Sequence, residues 1–540
     1  MSSKIVRGTM LLTGATFLSK FLGMIYVIPF YSLVGDTGTA LYNFAYVPYN
    51  ILISISTVGV PLAVSKFVSK YNSLGDYQTG MRMFKAGSIM MLITGFIAFL
   101  ALFFAARPIA SLIGLEDNGE ITLADAIIVI RMISFALLVI PAMSIVRGFF
   151  QGYQSMGPTA VSQIVEQIVR IIFLLVAAFI VLQIFDGTTV TAVAYATFAA
   201  FVGAIGSCIV LWVYWRRRKP HIERNIANQK VSHSIPLRSL FSELLRYAGP
   251  FVLVGLATSL YQLVDEFTFK RAMVAAGLQD QWVVAYSAIN MLGHKIILIP
   301  VSLATGLSLA ILPALTDTFT KKNKPLLFQQ INQSLQIISV LVIPAVFGLI
   351  ILSHEAYGAL FDMNQIELTG SLLAWYAPVA LLFALFTVSS SLLQGINEQR
   401  FAVISLTAGL LVKVLFNVQL IHMFGAKGAI FGTALAAGIA SILNLWRMKT
   451  AIDFSFKQVI KRTVLVLIFS IIMFVFIWVL KLILGTFLPY ENSRIAAVVM
   501  LCIGVAAGGA VYLWLAYSST LLERVLGSRV RILDRIFHRS

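Results

Sequence analysis

Five basic residues fall inside stretches otherwise too apolar for charge: Lys20, Arg131, Arg170, Lys295 and Lys413. Three acids share such stretches, Glu166, Asp265 and Glu266. A cation near the middle of a bilayer costs about 2.5–3.5 kcal/mol on insertion scales, so each needs a partner or a ligand. The balance is positive, and a desolvated lysine or arginine suits an anion such as a phosphate or pyrophosphate. Lys20 illustrates the pattern. Thr9, Thr13, Thr16, Lys20 and Gly23 recur at helical spacing, so one face of the first stretch is polar and lines protein or water rather than lipid. The alternative is a lysine that snorkels or neutralises a carboxylate; its depth argues against snorkelling.

The other charges divide by what their own helices offer. Arg170 follows Glu166 by four residues, a favourable i,i+4 arrangement that reads as structural before it reads as substrate-binding. Lys295 lies beside His294 and five residues before Pro300, where the ring can open the backbone. Lys413 has no acid on its own helix, and Arg131 is assigned no role. Asn43, Tyr46, Asn50 and Thr57 share a face suited to sugar hydroxyls or to helix packing, with packing the simpler reading. The candidate substrate-binding set is therefore Lys20, Lys295, Lys413, Arg170, Asn50 and Tyr46. Asp265 and Glu266 are candidates for binding a coupling ion or for bridging two lobes.

These residues must be positioned by membrane helices. Apolar residues make up 59% of the 540 and charged ones 11%, against about 25% charged in a soluble domain. An all-α polytopic membrane protein is expected. Spans of about 20 residues are read near 9–34, 40–62, 84–106, 123–147, 157–183, 188–215, 247–272, 281–312, 328–353, 370–394, 400–423, 427–449, 459–484 and 494–518, about fourteen helices. The first is too long, and lacks the small-residue site, for a cleavable signal. With both termini placed in the cytoplasm, 29 of the 40 basic residues fall in cytoplasmic segments, six in outside ones and five within spans. That bias satisfies the positive-inside rule. It also accounts for the net charge of +18 without a nucleic-acid partner.

The chain carries an internal repeat about the basic loop 216–246. Arg147-Gly-Phe-Phe-Gln-Gly152, followed by a helix bearing Arg170, matches Ser390-Ser-Leu-Leu-Gln-Gly395, followed by one bearing Lys413, at a constant offset of 243. Gly59-Val-Pro-Leu-Ala63 matches Gly306-Leu-Ser-Leu-Ala310 at an offset of 247. Applied to Lys20, the offset lands beside Asp265 and Glu266. Two six-helix lobes in parallel orientation follow, with a substrate site expected at their interface. The domain reading is an N-lobe 1–215, a cytoplasmic linker 216–246, a C-lobe 247–449, a helix pair 450–518 forming a lipid-tail groove, and a basic amphipathic tail 519–540 on anionic lipid.

Several chemistries lack their parts. No P-loop, G-x-G-x-x-G, H-E-x-x-H or C-x-x-C occurs, and Cys208 and Cys502 both lie in apolar spans. No cofactor is expected and no enzyme is indicated. Energy comes from Na⁺, H⁺, the membrane potential or removal of the product, with the sequence leaving these open.

Four segments carry a resemblance: Thr16-Phe-Leu-Ser-Lys-Phe-Leu-Gly23, Gly59-Val-Pro-Leu-Ala-Val-Ser-Lys66, Arg147-Gly-Phe-Phe-Gln-Gly152 with Met156-Gly-Pro158, and Leu393-Gln-Gly-Ile-Asn397. The chain resembles the polysaccharide-transport branch of the multidrug/oligosaccharidyl-lipid/polysaccharide (MOP) flippase superfamily. Within it, it is similar along nearly its whole length to the MurJ-type, YtgP-like lipid II flippases of Gram-positive bacilli. The resemblance implies fourteen helices, a V-shaped cavity open to one side at a time, and transfer of undecaprenyl-pyrophosphate-linked peptidoglycan precursor (lipid II) to the outer leaflet. It implies a monomer in the bacterial cell membrane, working beside the cell-wall synthesis machinery. The family's cavity arginines on helices one and eight correspond to Lys20 and Lys295, which keeps the charge and loses the bidentate fork. The family's acid near the start of helix two corresponds to Asp36. The rival readings are a cation-coupled multidrug exporter of the same superfamily, a flippase for another lipid-linked oligosaccharide, and a membrane glycan ligase built on His354 and Glu355.

Overall fold

A computed structural model of the chain describes residues 14, 15, 18, 19, 21–57, 60–115, 120–229, 252–488, 490 and 493–526. Lys20 lies outside them, as do residues 230–246 of the linker and 527–540 of the tail. The described residues are nearly all helical and contain no strand. They divide into two compact units, Met1–Phe267 and Thr268–Ser540.

In the first unit the helices are α1 (Phe21–Thr57), α2 (Val60–Ser73), α3 (Tyr77–Ile113), α4 (Leu123–Gly152), α5 (Gly157–Ile184) and α6 (Thr189–Ala227). Their starts are written locally. The Asp76 carboxylate accepts from Thr79 N at 3.0 Å to open α3. Thr122 and Asp125 form a reciprocal capping box that opens α4. α5 packs along α6, and α4 packs against α2, α3 and α6.

α7 (Ala257–Ala275) spans the boundary between the units. In the second unit, α8 consists of Trp282–Ser287, a π-helical turn Ala288–Gly293 and His294–Thr320. It is followed by α9 (Lys324–Ile351), the short α10 (Ser353–Leu360), α11 (Ile366–Gly395), α12 (Gln399–Phe424), α13 (Ala426–Ile452), α14 (Lys457–Gly485), α15 (Arg494–Ser518) and α16 (Leu521–Leu526). α12 packs along α13, α8 on α11, and α14 on both α9 and α15. The α9–α14–α15 contact is an apolar cluster around Val340, Ile343, Val466, Met473 and Ile477.

Twelve described helices are long and apolar enough to span a bilayer, against the fourteen spans read from the sequence. Two causes account for the difference. Spans one and two run together as α1, which turns at Gly35 (φ 64°, ψ −165°), a backbone conformation open to glycine and strained for other residues. α7 carries Asp265, Glu266, Lys270 and Arg271 within 19 residues and so is too charged to qualify by composition.

The internal repeat reappears in the backbone. After α4, Gln154 takes φ 55°; after α11, Asn397 takes φ 64°, at the same offset of 243. Ser155 N donates to Phe150 O (3.0 Å), and Glu398 N to Leu393 O (2.8 Å). Tyr153 N to Phe149 O and Ile396 N to Leu392 O both measure 3.2 Å. The two copies thus share one turn, bond for bond.

Candidate functional site

In the first unit Arg170 is enclosed by tyrosines. Tyr42, Tyr46 and Tyr49 follow one another at i, i+4 and i+7 on α1, so they line one stripe of that helix. Tyr42 and Tyr46 stack with ring centroids 4.3 Å apart, and Tyr46 meets Tyr49 edge-on at 5.5 Å. The Arg170 guanidinium lies 5.1 Å from the Tyr46 ring centroid, donates to its hydroxyl, and reaches Tyr42 Oη at 3.5 Å. Tyr42 in turn shares a 3.0 Å hydrogen bond with Tyr26. A guanidinium held by π faces and phenol oxygens stays charged without a carboxylate.

The Glu166–Arg170 pair expected from i,i+4 spacing does not form. Glu166 pairs with Arg147 instead, Oε2 to Nη2 at 2.6 Å. Arg147 also donates from Nε to Ser162 Oγ at 2.9 Å and from Nη2 to Ser207 Oγ at 2.8 Å. Its side chain is 13% exposed, so this arginine, read as the last residue of a span, belongs to a network that joins α4, α5 and α6. The physical reason is competition. A guanidinium with three acceptors in reach holds the acid, and Arg170 finds tyrosines of its own.

α1 presents Asn43 and Tyr46 buried and Asn50 half-buried, while Thr57 donates to its own helix at Ile53 O (2.6 Å). Asp36 accepts from Tyr31 Oη at 3.1 Å, one residue after the turn at Gly35.

α7 buries its two acids, Asp265 2% and Glu266 1% exposed. They differ. Both Glu266 oxygens are buried without a hydrogen bond among the described residues, whereas Asp265 is engaged.

In the second unit Lys295 lies half-buried just after the π-helical turn. Gly293 permits that turn, since a Cβ there would meet Ala288 O at 2.4 Å. The backbone therefore opens upstream of Lys295; α8 runs on through Pro300, where the sequence placed the opening. Such π turns shift helical register and concentrate at functional positions. Next to Lys295, His294 is buried and bonded through Nδ1 to Tyr376 Oη at 2.9 Å. Among the described residues the Lys295 ammonium makes no hydrogen bond or ion pair. Lys413 is its opposite. It is 0% exposed and donates from Nζ to Thr433 Oγ1 at 2.6 Å, one turn from Asn417, which bonds Thr268 Oγ1 at 2.8 Å.

Sequence reading missed the tyrosine enclosure, the Arg147 network and a third feature, the ion pair of Glu355 on α10 with Lys481 on α14 at 2.6 Å. The 4-and-3 spacing of Tyr42, Tyr46 and Tyr49 was the available signal for the first. Among the described residues no cluster of His, Cys, Asp and Glu could hold a metal ion.

Membrane-length helices in this order, with ionisable groups buried among them, define a multi-pass membrane protein, and its fold is shared by solved transporters. A solved lipid II flippase MurJ in an inward closed conformation matches with TM-score 0.64 and 17% identity, over 96% of this chain and 99% of that one. An inward-facing multidrug resistance MATE family transporter of the MOP superfamily matches with TM-score 0.61 and 18% identity, over 79% and 95%. The chain belongs to the polysaccharide biosynthesis protein family, whose model matches residues 5–319. It is 46% identical to the lipid II flippase MurJ of Bacillus subtilis (strain 168), over 98% of each chain. The resemblance carried by the sequence motifs is thereby upheld.

Proposed function

We propose that the protein is a flippase that carries lipid II, the undecaprenyl-pyrophosphate-linked peptidoglycan precursor, from the inner to the outer leaflet. The full-length likeness to the Bacillus subtilis flippase carries this reading. The chemistry agrees with it at Lys295, a half-buried cation on a membrane helix that makes no hydrogen bond or ion pair among the described residues. Such a charge is costly when the site is empty and is stabilised by an anionic head group, which makes binding favourable where the substrate's phosphates arrive. Lys20 supplies a second cation on sequence grounds.

In this reading both termini are cytoplasmic, the cell is a Gram-positive bacterium, and the protein acts as a monomer beside the cell-wall synthesis machinery without catalysing a reaction. Glu266, a buried carboxylate without a hydrogen bond among the described residues, supports coupling to a proton or cation. That group also favours the second reading, a cation-coupled exporter. Complementation separates them: growth of a strain depleted of its own lipid II flippase supports the first, and drug resistance without growth supports the second.

A further inference from the structure

A cavity of about 400 Å³ opens beside the first turns of α14, lined by Gln458, Lys461, Arg462, Leu465 and Ser519 among others. No acid lines it. Its two cations are differently held. Arg462 donates to the buried Gln336 Oε1 and is fixed in place. Lys461 is exposed, and its ammonium makes no hydrogen bond or ion pair among the described residues.

What lies beneath Lys461 distinguishes this cavity from a patch of surface charge. Val464, Ile468, Ile471 and Val475 follow it at spacings of three and four, so they form one stripe down the same face of α14. They are 48%, 48%, 49% and 49% exposed. From Lys461 to Val475 the stripe is about 21 Å long, against roughly 15 Å for the hydrocarbon of one leaflet. Cation, amide and hydroxyl at the top and an open apolar track below match the phosphate, glycerol and acyl chain of a phospholipid.

We propose that this cavity binds an anionic phospholipid of the leaflet at the Lys457 end of α14. Lys461 pairs with the phosphate, Arg462 supplies a fixed second charge, and one acyl chain lies along Val464 to Val475. The site is separate from the substrate cations and stands whether or not the protein carries lipid II.

The test is native mass spectrometry of the full-length protein titrated with phosphatidylglycerol or with phosphatidylcholine of the same acyl chains. The wild type should retain phosphatidylglycerol in preference, and Lys461→Gln should weaken that binding roughly fivefold, the value of one interfacial charge. Lys461→Gln/Arg462→Gln should abolish the preference. Because Arg462 also holds Gln336, the Lys461 variant, which breaks no bond among the described residues, decides the matter should the double variant unfold. Equal binding of the two lipids, or unchanged phosphatidylglycerol binding in Lys461→Gln, overturns the proposal. Displacement of the lipid by inorganic phosphate at millimolar concentration overturns it as well, by showing an anion site without a lipid track.

Discussion

Arg147 and Glu166, on helices α4 and α5, are joined at 2.6 Å, and the arginine ties Ser162 and Ser207 into the same network. The pair fastens three helices of the first unit at one point. Their charges are 13% and 21% exposed, so water offers little compensation when one is removed. Arg147→Gln leaves Glu166 without its partner and is expected to cost about 3 kcal/mol, the lower end of the range for broken buried pairs. Glu166→Gln strands the arginine less, since two serines remain. The double variant should lose less than the sum of the singles. Thermal unfolding in detergent measures all three; strict additivity would show that the two do not interact.

Arg170 tests whether a buried charge in a span binds substrate or holds the fold. Its tyrosine enclosure favours the fold. Arg170→Lys removes the planar stacking and should lower the melting temperature, and transport per folded molecule should stay near wild type. Tyr46→Phe, which removes one hydroxyl, should cost about 1 kcal/mol. Normal stability with lost transport in Arg170→Lys would return the residue to the substrate site.

The repeated turn makes a prediction about strain. Gln154 and Asn397 occupy the same left-handed position, at φ 55° and 64°. Asparagine tolerates that region and glutamine does so less well. Gln154→Gly should therefore stabilise by several tenths to about 1 kcal/mol, and Asn397→Gly by less. Gln154→Val should destabilise. Melting curves of the three variants give the order, and an equal gain at both glycines would contradict it.

Much of this architecture was legible in the chain because membrane burial leaves a coarse record. Runs of apolar residues marked the helices, and the shared Gln-Gly motif at an offset of 243 located equivalent turns in both units. Pairings were less legible. The i,i+4 rule offered Arg170 to Glu166, but Arg147, nineteen residues away in sequence, reaches the acid across two helices. The π turn before Lys295 was equally hidden, because its mark is the contact a Cβ on Gly293 would make with Ala288 O. Local spacing lists candidate partners, and tertiary packing selects among them.

Asp265 and Glu266 are adjacent, and neighbours on a helix point about 100° apart. Their surroundings already differ, with Asp265 engaged and both Glu266 oxygens without hydrogen bonds among the described residues. A buried carboxylate in that state is expected to take a proton or a cation during transport. Glu266→Gln should remove the dependence of transport on an imposed ion gradient with folding preserved, and Asp265→Asn should act chiefly on stability. Vesicle transport with and without the gradient separates them. Negligible effects of both changes and of the double change would exclude coupling through this helix.

Lys295 carries the sharpest prediction. It sits on a membrane helix, half-buried, one residue past a buried histidine that is already committed to Tyr376 at 2.9 Å. Lys413, on α12, has Thr433 at 2.6 Å and no exposure, so these two lysines differ in what they leave available. Under the proposed reading the ligand of Lys295 is a multiply charged phosphate, which a neutral hydrogen-bonding side chain does not hold as well, because charge-assisted bonds are roughly twice as strong as neutral ones. Lys295→Gln should abolish rescue of flippase-depleted cells at normal membrane levels, and Lys295→Arg should retain it. Lys413→Gln should lower membrane levels and melting temperature together, as expected of a structural bond. Lys20→Gln and Lys20→Arg, made in parallel, should follow the Lys295 pattern. The measurement is complementation beside an immunoblot of the membrane fraction. Full rescue by Lys295→Gln at wild-type levels would return this lysine to a structural role.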